Sequence, residues 1–250
     1  MVTVSHTMVV AAVPRAWFMG IAARLVGLAE ESRAEGERIL LPDGRVVPDI
    51  RLVTGRHLRP GAVYDASTAD EKVRVTLREW DGRRGARLEQ SITAVDTHLA
   101  LDIAWQSLER PQFVEVSGET RQEGGPTLSR ATGRARLRLD DWWTAADTGK
   151  APGSTPVRAR VDHAWARAEF GAAPRPHDAD GHWEIHVTMT VRGRRLLRPI
   201  GALVLPLARR PIRRALVRAL DDLAERWNEQ LPRHRGRDPE QVVAALLAGH

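Results

Sequence analysis

A chain of 250 residues, 42% of them hydrophobic, can build a sizeable core, as one large domain or two small ones. With no cysteine, disulfides, thiolate metal sites and a cysteine nucleophile are excluded. The formal charge of +6 and pI near 10.8 invite a nucleic-acid reading. Against it, Lys72 and Lys150 are the only lysines, and acidic residues are interspersed throughout. Arginine in place of lysine, beside abundant alanine, is what a GC-rich genome produces without selection for binding.

The N-terminus, Met1 to His6, lacks a basic region followed by an apolar stretch, so it does not read as a signal peptide. The longest apolar run near the C-terminus, Ile200 to Ala208, is far short of the roughly 20 residues a bilayer span requires. These features predict a soluble, cytoplasmic protein without stable membrane insertion.

Val2 to Val10 alternates and reads as a strand, with His6 on the side of Val4 and Met8. Pro14 opens a helix whose stripe is Trp17, Ile21 and Leu25, ending near Glu31. Residues 32–69 read as an irregular insertion, with a short hairpin over Ile39 to Val47 around Pro-Asp-Gly. From residue 70 to 192 strands dominate. They are expected at Lys72–Trp80, Ala86–Thr93, Leu99–Trp105, Phe113–Val116, Leu128–Leu139, Val157–Arg167 and Trp183–Val191. Thr144–Pro156 and Gly171–Gly181 read as loops, with Trp142-Trp143 at a strand end beside the first. An amphipathic helix follows from Pro211 to about Leu231, striped by Ile212, Leu216, Leu220, Leu223 and Trp227. A short helix is expected near 238–248. The spacing is that of an antiparallel meander and not of βαβ units.

This order predicts one α+β domain over residues 1–250: a curved antiparallel β-sheet wrapped around a long C-terminal helix, enclosing an apolar cavity. Two stretches resemble a known family. Thr7-Met-Val-Val-Ala-Ala-Val-Pro-Arg-Ala-Trp17 is similar to the first strand, Ala-x-Pro turn and aromatic-bearing helix of the START-like (SRPBCC) superfamily of helix-grip proteins. Val187 to Pro199, with the helix from Pro211, is similar to the last strand and gripping helix of its bacterial members. The superfamily includes polyketide cyclase/dehydrases and lipid-transfer domains. The resemblance implies an apolar or aromatic small molecule held between sheet and helix, but not catalysis, because both enzymes and carriers belong to it. The chain is longer than the usual bacterial member, and residues 32–69 have no counterpart.

Eight tryptophans stand against three Phe and one Tyr. Trp17, Trp105, Trp165, Trp183 and Trp227 fall on the apolar sides of their expected elements. They read either as core or as cavity lining, with Leu216, Leu220 and His6 beside them. His163 is expected to share an inward face with Val161 and Trp165, where an imidazole can act as acid or base or simply be a bonded core group. Arg167 on that face could hold an oxyanion, or could be a snorkelling strand-end residue. Glu79 is placed on the face of Val75 and Leu77.

The run His177 to His182 has ligand-type residues, but its Asp-Gly is explained by a turn. His182 and His186 on one strand lie about 13 Å apart at about 3.3 Å per residue, too far to chelate one ion. No metal or cofactor is expected. No nucleophile elbow, phosphate loop or dinucleotide fingerprint is present. The readings carried forward are an apolar-ligand carrier, a cyclising or dehydrating enzyme using the same cavity, and an arginine-rich adaptor on a membrane surface or nucleic acid.

Overall fold

The computed structural model describes residues 1–234 apart from 109, 123–129, 151–152, 154, 180 and 195–197. For 198–208, 233 and 234 it describes the backbone alone. The elements in chain order are β1 (Val2–Ala11), α1 (Arg15–Glu31), β2 (Arg33–Glu35), β3 (Arg38–Leu40), β4 (Val46–Thr54), β5 (Val63–Asp65) and β6 (Glu71–Asp81). Then come β7 (Gly85–Ala94), β8 (Thr97–Gln106), β9 (Phe113–Gln122), β10 (Ala131–Arg138), α2 (Leu139–Thr148), β11 (Val157–His163), β12 (Ala166–Pro176), β13 (His182–Gly193) and α3 (Arg198–His234). The class is α+β, and the sheet pairings are antiparallel.

The chain divides into two compact units. The first holds Met1–Pro14 and the chain from Ala131 through α3. Its strands lie in the order β1-β13-β12-β11-β10, so the first strand of the chain neighbours the last. One face is apolar by alternation. Val2, Val4, His6, Met8 and Val10 stand opposite Val191, Met189, Val187, Ile185 and Trp183. α3 covers this face: Ile212 and Leu216 pack on Val2, Val4 and Met189, and Leu220 and Ala224 on Val10, Ile185 and Val187. The second unit, Arg15–Arg130, carries α1 and a meander ordered β9-β8-β7-β6-β5-β4-β3-β2. Its core gathers Ile39, Leu52, Ala62 and Leu77.

Several expectations are corrected. Residues 32–69 form four strands around the expected Pro-Asp-Gly turn, with Leu41 N–H bonded to Arg45 C=O at 2.8 Å. Trp142 and Trp143 lie in α2, not at a strand end. Asp140 and Asp141 favour its first turn, and Gly149 ends it at φ 71°, a left-handed conformation that glycine tolerates. The expected strand Val157–Arg167 is broken at Ala164-Trp165, a turn without Gly, Pro or Asn. β12 then absorbs the first half of the expected loop from Gly171. Its prolines are tolerated because β11 pairs only as far as Ala172, leaving Pro174 and Pro176 without a ladder partner on that side.

Glu79 leaves the face of Leu77, because a bulge between them sets it opposite Arg87. α3 starts at Arg198, so Pro211 lies inside the helix; flanking Ala, Leu and Arg residues outweigh the one bond it removes. Leu223 is 54% exposed, and Ala224 takes its place in the stripe. The helix expected near 238–248 lies outside the described residues.

β1 is an edge strand, and α3 closes part of its edge. Asn228 Oδ1 accepts from Ala11 N–H at 2.7 Å, and its Nδ2 donates to Val9 C=O at 3.0 Å. Trp227 Nε1 donates to Ala11 C=O at 2.9 Å. The carboxamide thus replaces a neighbouring strand, satisfying peptide groups that an edge otherwise leaves open. Asn228→Ala should lower stability by about 1–3 kcal/mol, the range for orphaning buried polar groups. The check is a urea melt, whose midpoint should fall with an unchanged slope; an unmoved midpoint would remove Asn228 from this role.

Candidate functional site

On the apolar face of β1, among Val2, Val4, Met8 and Val10, His6 is the polar exception. Alternation brings its side chain to the helix side of β1, between Val4 and Met8. There its Nε2 meets Asp221 Oδ1 of α3 at 2.7 Å. The His6 side chain is 21% exposed and the Asp221 side chain 56%. Asp221 follows Leu220 in the helix, so the residue after a packing position reaches the imidazole across the seam. A carboxylate holding one ring nitrogen fixes the ring's orientation.

Next to this pair lies an aromatic corner. Trp183 of β13 and Trp142 of α2 meet edge to face, with ring centroids 5.8 Å apart and planes at 74°. Both pack on the cluster of Val10, Ile185, Val187 and Ala224, together with Met8, Ala172 and Leu220. Trp143 is buried and anchors α2 by donating from Nε1 to Val13 C=O at 3.2 Å. Further along the apolar face, β12 and β11 present small residues: Ala166, Ala168 and Ala172 beside Phe170, and Ala159 opposite it. All five stay partly exposed.

Of the sequence-predicted residues, His6, Trp183, Leu216 and Leu220 are therefore brought to one seam. His163, Trp165 and Arg167 are not. They do not share one inward face: His163 ends β11 in register with Ala131 and alternates with Ala159 and Val161, Trp165 falls in the β11–β12 turn, and Arg167 stands opposite Asp162 on the other face. Trp165 is 48% exposed and Val161 39%. His163 Nδ1 accepts from Trp165 N–H at 3.4 Å. Arg167 Nε donates to Asp162 at 2.8 Å, Arg160 Nε at 2.5 Å, and Arg194 Nη1 lies at 3.3 Å. Arg160, then Arg167, holds the Asp162 carboxyl below the usual carboxylate range. The turn is thus an ionic knot around Asp162. Trp17 (α1) and Trp105 (β8) belong to the second unit, partly exposed in both cases. Among the described residues, no group of three or more His, Asp or Glu gathers as a metal site.

The second unit holds a polar chain that sequence reasoning missed. Ser32 Oγ donates to Ala29 C=O at 2.6 Å and meets His57 Nε2 at 2.8 Å. His57 Nδ1 meets Tyr64 Oη at 3.0 Å, and Leu58 N–H donates to the same oxygen at 2.9 Å. One set of donors satisfies every contact: Leu58 N–H to Tyr64, Tyr64 O–H to Nδ1, Nε2–H to Ser32, Ser32 O–H to Ala29. Because the Ser32 proton is committed to a carbonyl, His57 does not serve it as a base. The chain is a clasp between the end of α1 and the β4–β5 loop, where Leu58 sits at φ 53°. No local motif marks it, because its partners come from separate stretches of the chain.

No family model matches the chain, and no curated protein or solved structure matches it.

Burial holds the His57 pKa below 6.5, outweighing the upward pull of the Ala29 carbonyl. A histidine with a lowered folded pKa binds fewer protons folded than unfolded. The stability it contributes is complete above pH 6.5 and is lost as the pH falls below that value. Between about pH 7.5 and pH 5, wild type should lose more stability than His57→Gln. Urea melts at both values check this; equal losses would contradict it.

Proposed function

We propose that the protein binds a hydrophobic small molecule, polyketide-like, aromatic or lipid-like, along the apolar face of the first unit's sheet beside α3. The observation that carries this reading is the His6–Asp221 pair: an oriented imidazole on the apolar face of β1, next to the Trp142–Trp183 corner. Apolar walls with few placed polar groups are the usual chemistry of a small-ligand site. Indole faces suit flat or polycyclic ligands, and the alanines of β11 and β12 leave room that larger side chains would fill. The order of strands, with β1 beside β13 and the long helix last, supports a helix-grip, START-like assignment.

Cyclisation or dehydration of the bound molecule is the enzymatic form of the same reading. It needs a held conformation and a proton-transfer group. His6, oriented by Asp221 beside the Trp142–Trp183 corner, supplies that group better than His163 and Arg167, which stand at the β11–β12 turn with His163 Nδ1 and Arg167 Nε engaged there.

Titration with a fluorescent polycyclic probe, 1-aminoanthracene, tests the site. Trp183→Ala should weaken binding by about tenfold or more, as expected for removing one large apolar contact. Unchanged affinity in a folded Trp183→Ala variant would contradict the placement.

A further inference from the structure

The other face of the first unit's sheet is basic. Arg134 stands directly opposite Arg160, Arg136 opposite Arg158, and Arg167 opposite Arg192. Opposed residues in an antiparallel sheet have Cβ atoms about 4.5–5.5 Å apart, and like charges there destabilise the sheet. Three carboxylates on this face, Asp162, Glu169 and Glu184, offset part of the charge, the last standing opposite Arg175. With Arg175, seven arginines against these three acids still leave a positive surface. At one end of the face lies the β11–β12 turn, with Trp165 48% exposed. Arg194 N–H donates to Trp165 C=O at 3.0 Å, which fixes the end of β13 beside this indole. α3 starts four residues after Arg194, and its sequence carries no charge between Arg198 and Arg209.

An exposed indole on a tight turn, at the end of an arginine-bearing sheet face, is the chemistry of a membrane–water boundary. Trp favours the headgroup level, and basic residues near an anionic surface each add to attraction. The alternative polyanion, nucleic acid, is less well served, because Trp165 is a single indole and single-strand binding stacks successive bases on several aromatics. We propose that this end of the first unit docks on an anionic lipid bilayer, with Trp165 at headgroup depth and the arginine face against lipid phosphates. The docking is peripheral: no helix among the described residues is long and apolar enough to cross a membrane.

Vesicle co-sedimentation of the full chain tests this. The vesicles are phosphatidylcholine alone, or with about one third phosphatidylglycerol. Binding is expected on the anionic vesicles only, falling steeply with salt. Trp165→Ala should weaken it, and so should the double variant Arg158→Gln/Arg192→Gln, whose arginines do not hold Asp162. At roughly fivefold per arginine, the double variant should lose more than tenfold in partitioning. Circular dichroism checks that both variants fold. If Trp165→Ala does not fold, quenching of wild-type emission by brominated lipid decides instead; quenching supports the docking and its absence overturns it. No binding to anionic vesicles at low salt would overturn it, as would equal binding to neutral ones or undiminished binding by both folded variants. Tighter binding to a DNA duplex than to the vesicles, weakened by the arginine variant, would assign the face to nucleic acid.

Discussion

The first unit depends on one contact: α3 laid along β1 and β13. From Ile212 to Asn228 the helix rises about 24 Å at about 1.5 Å per residue. β1 from Val2 to Ala11 spans about 30 Å at about 3.3 Å per residue. The two lengths are close enough for the helix to contact the strand from end to end. Apolar packing on Val2, Val4, Val10, Ile185, Val187 and Met189 supplies the non-directional attraction. His6–Asp221 and the bonds from Trp227 and Asn228 to Val9 and Ala11 fix the helix in one place along the strand. A purely apolar seam permits sliding; directional bonds near its middle and at its far end do not.

That seam also explains why one histidine can stand on a hydrophobic face. Unpartnered, a buried imidazole is penalised by desolvation. Here the helix that excludes water also brings the carboxylate. Stability and the proposed site therefore share residues, and the same helix turn that packs Leu220 presents Asp221. In the second unit the same logic runs through neutral groups. His57 is kept uncharged by burial and bonded on both ring nitrogens, and it serves the loop after β4.

Much of the element order was legible in the sequence. Strict alternation located β1, β6, β7, β8 and β13 to within a few residues, because each has one apolar face. The i, i+4 recurrence of Ile212, Leu216 and Leu220 located the packing stripe of α3. What escaped had physical reasons. The turn at Ala164-Trp165 carries no turn residue; it is held by Asp162 with Arg160, Arg167 and Arg194, contacts that local pattern does not report. α2 is short, and its Trp-Trp pair reads equally well as strand. A bulge turned Glu79 away, and β2 to β5 are too short or irregular for periodicity to show. Of the site, His6, Trp183, Leu216 and Leu220 followed from face assignment. Asp221 did not, since nothing in its own surroundings marks it as the partner of a residue 215 positions away.

The most direct measurement is native mass spectrometry of the protein purified from its own cells, followed by organic extraction. A stoichiometric apolar adduct on wild type, lost in Leu220→Arg, is the result expected if the seam beside α3 holds a ligand. A clean apo mass for wild type, with no apolar compound in the extract, would contradict that central claim.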